Sequence, residues 1–122
     1  MRRRVLIVED EILVALFLED LLAEFGYDVA GVVSHLDEAM AHPLDYELAV
    51  LDVHLNGQDV FDFADQLAAS GTPFVFATGY GSRGIPDRHC ARPVLQKPFS
   101  PDELKRTLAE TLAQDVRKMG AA

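Results

Sequence analysis

The sequence has little of what secreted, membrane-bound or nucleic-acid-binding proteins depend on. Its single cysteine, Cys90, excludes an internal disulfide and is typical of a reducing compartment, so we expect a cytoplasmic protein. No apolar run in the sequence approaches the roughly 18 residues that a membrane span needs. Basic residues number 11 against 20 acidic ones, for a net charge of −9, whereas phosphate backbones require a basic face. We therefore expect neither a membrane nor a nucleic acid among its partners.

Secretion is not expected from the amino-terminal residues. Three arginines at residues 2–4 resemble the start of a signal peptide, but the apolar run after them covers only residues 5–8. The sequence does have the balance of a soluble globular domain, with 49% hydrophobic and 25% charged residues among 122. That length is typical of one domain. We expect a single domain over residues 1–122, with a core at about residues 4–114 and a short tail at 115–122.

Short aliphatic runs alternate with stretches of helical period along the chain. The runs that favour strands are residues 5–8, 29–33, 48–51, 73–77 and 94–95. The stretches that favour helices are residues 12–25, 36–42 and 58–69, and a last one that begins at Ser100 or Asp102. Runs that are apolar throughout are typical of strands buried on both faces, so the sequence predicts an α/β fold with a doubly wound, five-stranded parallel sheet and helices on both faces. Residues 79–92 have no clear period, and we expect a short, mobile fourth helix there.

Polar side chains follow four of these predicted strands. Glu9 and Asp10 come directly after the first strand, Asp52 after the third, Thr78 after the fourth and Lys97 soon after the fifth. Ligands of open α/β sheets bind beyond the carboxyl ends of the strands, so we expect these side chains to meet at one edge. Each of them alone is more often a helix cap, a turn residue or a surface residue. Their joint placement at four strand ends favours a functional site.

Three carboxylates at one sheet edge repel each other and raise each other's pKa, so a cation has to offset them. Lys97 is one candidate, and a hard divalent ion with oxygen ligands is the other. Few protein ligands and several retained waters are typical of Mg²⁺. A carboxylate beside Mg²⁺, with a lysine and a hydroxyl nearby, is suited to phosphoryl transfer, and the carboxylate can be the nucleophile.

The acidic pair at residues 9–10, the lone Asp52, Thr78 and the Lys97-Pro98-Phe99 segment together resemble the receiver domain of two-component response regulators. The resemblance covers the chain from Val5 to about residue 113. It implies the flavodoxin-like fold, with strand order 2-1-3-4-5. It also implies a cis peptide bond between Lys97 and Pro98.

The resemblance implies a phosphoacceptor and a metal site. Asp52 would accept a phosphoryl group from a phosphohistidine of a sensor histidine kinase. Asp10 would bind Mg²⁺ directly and Glu9 mainly through water, while Asp52 and the backbone carbonyl of His54 would complete the protein ligands. The His54 side chain either controls the water that hydrolyses the acyl phosphate or has no part beyond its carbonyl.

Switching is expected to depend on other side chains. The resemblance implies that Lys97 pairs with the aspartate and then with the phosphoryl group, and that Thr78 turns to bond a phosphoryl oxygen. Most receivers carry an aromatic residue where Val94 stands, so the usual coupling through that position is absent. Residues 73–80, PFVFATGY, are similar to the FAT GUY subfamily of alphaproteobacterial receivers, whose kinases are often of the HWE or HisKA_2 type. In that subfamily Tyr80 is a possible switch aromatic, and its alternative is a partly exposed loop residue.

We therefore expect a signalling switch of a phosphorelay that alters its affinity for a downstream protein partner, as a monomer or weak dimer. Beyond its own phosphoryl transfer and autodephosphorylation, we expect no enzymatic activity. A phosphate sink or relay receiver and a phosphorylation-independent binding module remain alternatives. A small Mg²⁺-dependent aspartyl-phosphate phosphohydrolase is less favoured, because that family carries a second aspartate two residues after its nucleophile, where this chain has His54.

Four arginines complete the candidate residues. The positions are Arg83, Arg88, Arg92 and Arg106. In receivers the face formed by the fourth helix, fifth strand and fifth helix usually meets partners. On that face these residues would attract an acidic partner, and the alternative is a solvated loop.

Overall fold

The structure, a computed structural model, describes residues 2–81 and 83–121, with side chains as far as residue 114. Its elements, in chain order, are β1 (Arg4–Val8), α1 (Ile12–Glu24), β2 (Asp28–Val33), α2 (Leu36–Ala41), β3 (Leu48–Asp52), β4 (His54–Leu55), β5 (Gln58–Asp59), α3 (Phe61–Ser70), β6 (Phe74–Thr78), β7 (Val94–Gln96) and α4 (Pro101–Ala121). A single 3-10 turn covers Asp87–His89. Residues 115–121, which the sequence assigns to a tail, continue α4, and Ala122 lies outside the described residues.

Five strands form one parallel sheet in the order β2-β1-β3-β6-β7. Counted among the sheet strands alone, this order is 2-1-3-4-5, so the predicted flavodoxin-like sheet is confirmed. The register aligns Val8 with Leu51 and Leu51 with Phe76. The last residues of these central strands therefore end at the same edge.

Side chains alternate between two buried clusters, one on each face of the sheet. From β1, Leu6 and Val8 enter the cluster that α2 and α3 cover, whereas Val5 and Ile7 enter the one that α1 and α4 cover. This alternation explains why the strands are apolar throughout, since a strand covered on both faces has no solvent side. The predicted helices on both faces are confirmed. Among the described residues, no helix is both long enough and apolar enough to cross a bilayer.

Two segments differ from the sequence-based expectation. The expectation of a fourth helix within residues 79–92 is wrong, since the described residues of this range form no α-helix and hold a 3-10 turn at Asp87–His89. Glycine weakens a helix interior, and Gly81 is held at φ 61°. Pro86 has no N–H to donate, and it disfavours helix in the residue before it.

The third predicted helix also begins later, at Phe61 rather than at residue 58, because residues 58–59 pair with residues 54–55 in an antiparallel hairpin. Asn56 and Gly57 close this hairpin with φ of 50° and 80°. An Asn-Gly pair between two short strands is a strong signal for such a turn, and it was available in the sequence.

Candidate functional site

The candidate site lies where β1, β3 and β6 end. Glu9, Asp52 and Thr78 are buried there, with exposures of 3%, 8% and 2%. Glu9, Asp10 and Asp52 each offer a carboxylate oxygen, and these oxygens all lie within 4.8 Å of one another. The structure therefore brings together the three carboxylates that the sequence placed at strand ends. Hard oxygen donors at this spacing suit a hard divalent cation.

Lys97 supplies the positive charge on one side of this cluster. Its Nζ lies 2.7 Å from Glu9 Oε1 and 3.6 Å from Asp52 Oδ1. Burial would lower the pKa of Lys97, but the hydrogen bond to Glu9 and the charges of Asp52 and Glu9 outweigh it and raise that pKa. The ammonium group therefore stays charged, and it bonds Glu9 rather than the aspartate. The Lys97–Pro98 peptide bond is cis.

The environments of Asp52 and Asp10 shift their pKa values in opposite directions. Burial, followed by the hydrogen bond and negative charge of Glu9, raises the pKa of Asp52 to about 8, although Lys97 opposes this shift. Burial would also raise the pKa of Asp10, but the backbone N–H of Asn56 and hydrogen bonds with Asp52 and Glu9 lower it overall. A cation bound among these carboxylates would favour their charged forms and reverse the shift at Asp52.

The hairpin turn fixes one wall of the cluster, and sequence reasoning missed it. The Asn56 backbone N–H donates to Asp10 Oδ2 at 2.8 Å. The Asn56 side chain donates to the Ser34 carbonyl at 2.6 Å, which ties the turn to the end of β2. At the end of β3, the His54 backbone N–H lies 3.4 Å from Asp52 Oδ1. The hairpin therefore orients both carboxylates through backbone donors.

Thr78 and Tyr80 form the opposite wall. The Thr78 carbonyl accepts from the Lys97 backbone N–H at 2.8 Å, and its Oγ1 accepts from the Tyr80 backbone N–H at 3.1 Å. The Tyr80 ring is 61% exposed and meets the His54 ring edge-on, with centroids 6.0 Å apart. These walls enclose an open cleft of about 560 Å³ that reaches Asp52.

The arginines and the remaining histidines lie elsewhere. Arg88 bonds both carboxylate oxygens of Asp65 on α3, at 2.8 and 3.1 Å. Arg92 lies over the Phe74 ring, 4.3 Å from its centroid. His89 is buried and contacts Asp65 through Nε2 at 2.7 Å. Arg88 and Arg92 are therefore engaged within the fold.

The other candidate positions divide in the same way. Arg83 and Arg106 are exposed. His35 is exposed and contacts Glu38 at 2.8 Å, as expected of a surface histidine. Val94 is half-buried at the edge strand and aligns with Phe76.

A parallel five-stranded sheet that ends in this set of side chains defines a class of signalling domain. Residues 5–109 match the response regulator receiver domain family, and the chain belongs to that family. It is thus a receiver domain of two-component signalling.

Three relatives illustrate the similarity. SdrG from Sphingomonas melonis Fr1 is 40% identical, with 91% of this chain and 97% of that chain covered and a TM-score of 0.81. The anti-anti-sigma factor PhyR from Bartonella quintana is 27% identical, with 99% and 51% covered and a TM-score of 0.81. The transcriptional regulatory protein PdtaR of Mycobacterium tuberculosis is 34% identical over 108 residues, or 84% of this chain and 53% of PdtaR. The chain spans about half the length of PdtaR and PhyR. The alphaproteobacterial subfamily expected from residues 73–80 fits two of these relatives, SdrG and PhyR.

Proposed function

We propose that this receiver is a phosphoacceptor switch in which Asp52 accepts a phosphoryl group from a phosphohistidine of a sensor histidine kinase. The observation that carries the proposal is the position of Asp52. Its carboxylate lines an open cleft, with the Lys97 ammonium 3.6 Å away and the carboxylates of Glu9 and Asp10 beside it. In the transfer, an Asp52 oxygen bonds to phosphorus while the phosphorus–nitrogen bond breaks. The electron pair of that bond leaves with the imidazole.

Mg²⁺ is the cation that we assign to the acidic cluster. The donor set fits it, because the cluster offers only hard oxygens and leaves room for several waters. Asp10 and Asp52 would bind it directly, Glu9 through water, and the backbone carbonyl of His54 would complete the set. When bound, the ion neutralises charge on the phosphoryl oxygens.

Lys97 and Thr78 respond to the added group. A phosphoryl group brings about −1.5 to −2 charges and three acceptor oxygens, which compete with Glu9 for the Lys97 ammonium. Thr78 has a hydroxyl hydrogen to donate, because its present bond to Tyr80 uses the oxygen as acceptor. Turning that hydroxyl toward a phosphoryl oxygen moves the segment that carries Tyr80. Water then hydrolyses the acyl phosphate and returns the site to its resting arrangement.

The kinase docks on α1 in this proposal. Four apolar side chains of that helix are exposed: Ile12 at 75%, Leu13 at 78%, Leu16 at 52% and Phe17 at 42%. Phe17 also lines an apolar groove with Pro98 and Phe99, and Lys97 lines both this groove and the phosphoacceptor cleft. An apolar patch beside a reactive site is typical of a protein interface. Residues 73–80 favour a kinase of the HWE or HisKA_2 type.

The output of the switch is a change in affinity for a downstream protein. The name of the Bartonella PhyR, anti-anti-sigma factor, describes regulation through a protein. We infer the same kind of output here, with the receiver acting as a monomer or weak dimer.

The test is the intact mass of the protein after incubation with Mg²⁺ and phosphoramidate, beside Asp52→Asn. One phosphoryl group on the wild type, absent from the variant and absent without Mg²⁺, is the expected result. Asp20→Asn is the matched control, because Asp20 is an exposed aspartate on α1. Steady hydrolysis of the donor without an adduct would favour the phosphohydrolase. Neither adduct nor hydrolysis would favour the phosphorylation-independent binding module.

A further inference from the structure

The segment after β6 is held to β7 by a side chain outside the residues assigned so far. Gln96 is the last residue of β7, directly before Lys97. Its Nε2 donates to the Gly79 carbonyl at 2.8 Å and lies 3.5 Å from the Lys97 carbonyl. A side chain at Gly81 would place its Cβ 3.0 Å from Gln96 Oε1, so the amide lies across residues 79–81. Gln96 thus clamps this segment from the side.

The rest of the segment is anchored at its far end. His89 is buried against Asp65 of α3 at 2.7 Å and packs among the Phe61, Phe74 and Phe76 rings. Arg88 adds a bidentate contact to the same aspartate. Between this anchor and the cleft, the Gln96 amide is a neutral hydrogen bond from an exposed side chain. The cleft end is therefore the end that can be released at small cost.

The Gln96 contact opposes a movement of Thr78 toward a phosphoryl oxygen. The Thr78 hydroxyl now accepts from the Tyr80 N–H at 3.1 Å, and Gly79 lies between these two residues. Moving the hydroxyl toward Asp52 breaks that bond, and a shift of residues 79–80 that follows also has to break the bond between Gln96 and the Gly79 carbonyl. A contact made in one state and lost in the other shifts the balance between the two.

We propose that Gln96 is a positioning residue that holds residues 79–81 in the resting arrangement and so sets how readily the receiver takes up a phosphoryl group. The proposal rests on the proposed function in assuming that phosphorylation at Asp52 draws Thr78 into the cleft. The Gln96 bond opposes that movement, and its loss favours the phosphorylated arrangement.

The test compares Gln96→Met with the wild type, because methionine has a similar length and no N–H donor. Gln66→Met is the matched control, since Gln66 also donates to a backbone carbonyl, that of Met40 at 3.4 Å, but lies on α3. We measure exchange of the Tyr80 amide hydrogen by NMR in the unphosphorylated protein, and phosphoryl uptake from phosphoramidate with Mg²⁺ by intact mass. A net hydrogen bond of ordinary strength corresponds to roughly a two- to tenfold change in an equilibrium. Both rates should rise by about that factor in Gln96→Met and stay unchanged in Gln66→Met.

Unchanged Tyr80 exchange in Gln96→Met would overturn the clamp itself. Faster exchange with unchanged uptake would reduce Gln96 to a structural contact and overturn its role in switching. If the wild type takes up no phosphoryl group, the proposed function fails together with the regulatory part of this proposal. In that case the Tyr80 exchange comparison alone tests whether Gln96 holds residues 79–81.

Discussion

Asp52 and Asp10 belong to one cluster, yet their protonation is set by different neighbours. Asp52 is buried beside Glu9, and this raises its pKa to about 8. Asp10 receives the Asn56 N–H, and its pKa is lowered despite burial. Of these two aspartates in the metal-free receiver, the acceptor carboxyl is therefore the one that exchanges a proton near neutral pH. The proposed Mg²⁺ would compete with this proton, because a bound cation favours the carboxylate.

This competition predicts a pH dependence of stability at the residue scale. The Asp52 carboxyl binds its proton more tightly in the folded protein, where its pKa is about 8, than in the unfolded chain, where its pKa has the ordinary value of 3.8. Between pH 4 and about 8 the folded state therefore holds more protons than the unfolded state, so the free energy of unfolding falls as pH rises. We expect the metal-free wild type to lose melting temperature between pH 5 and about 8, and Asp52→Asn to lose less.

Thermal denaturation in a metal chelator, followed by circular dichroism across that pH range, measures this effect. Asp10 does not contribute to the change in melting temperature, because its lowered pKa places its titration below pH 5. Asp20→Asn serves as control and should follow the wild type. Parallel curves for the wild type and Asp52→Asn would contradict the assigned shift.

At the scale of the element, α1 combines a buried face with an exposed apolar one. Leu18 and Leu22 enter the core, whereas Leu13 and Leu16 face outward. The core accounts for the first pair, whereas the second pair leaves apolar surface exposed to water, at 78% for Leu13 and 52% for Leu16. A docking role for α1 removes that cost when the kinase binds.

Leu13→Ser tests this role. Its side chain is 78% exposed, so we expect stability to change by no more than about 0.5 kcal/mol. Phosphotransfer from the kinase should slow by about fivefold or more, since truncation of an interface anchor costs over about 1 kcal/mol. Uptake from phosphoramidate should be unchanged. Leu44→Ser, at a 52% exposed leucine away from α1, is the control. Equal kinase transfer in Leu13→Ser and the wild type would place the docking face elsewhere.

The elements also mark how far sequence alone reaches. The strands and the convergence of Glu9, Asp52 and Thr78 were predictable, because a strand buried on both faces and a polar residue at its end are local patterns. The contact of Asn56 with Asp10 spans 46 positions, and that of Gln96 with Gly79 spans 17. The sequence around Gln96 or Asn56 does not indicate which distant group either residue will contact.

The fourth helix is an element that was predicted from the sequence and that the structure does not form. A short helix was expected within residues 79–92, but Gly81 and Pro86 weaken the local preference for helix. The segment is ordered instead by a side-chain contact, His89 against Asp65. The weak helix propensity could be predicted from the sequence, whereas the contact between His89 and Asp65, 24 positions apart, could not.

At the scale of the whole molecule, the proposed Mg²⁺ site, with three carboxylates within 4.8 Å of one another, predicts that the stability of the fold depends on a divalent cation. A ligand that binds only the folded state stabilises it by RT ln(1 + [L]/Kd), or about 1.4 kcal/mol when its concentration is ten times Kd. We expect Mg²⁺ to raise the melting temperature of the wild type and removal of Mg²⁺ to reverse the rise. Asp10→Asn should lose most of this response, while its amide oxygen can still accept from Asn56.

Melting curves over a Mg²⁺ titration provide the measurement, and Asp37→Asn on α2 is the control because it is exposed and outside the cluster. An equal rise in Asp10→Asn and in the wild type would mean that the ion acts elsewhere on this acidic chain.

The open acidic cleft also has a consequence for the fidelity of signalling. Small phosphate compounds are anions, and they approach a site ringed by carboxylates on a chain of net charge −9. Repulsion slows their encounter, whereas a protein donor can offset it with contacts on the apolar surface of α1. Under the proposed function, the receiver would therefore respond to a kinase that docks on it in preference to small phosphate compounds.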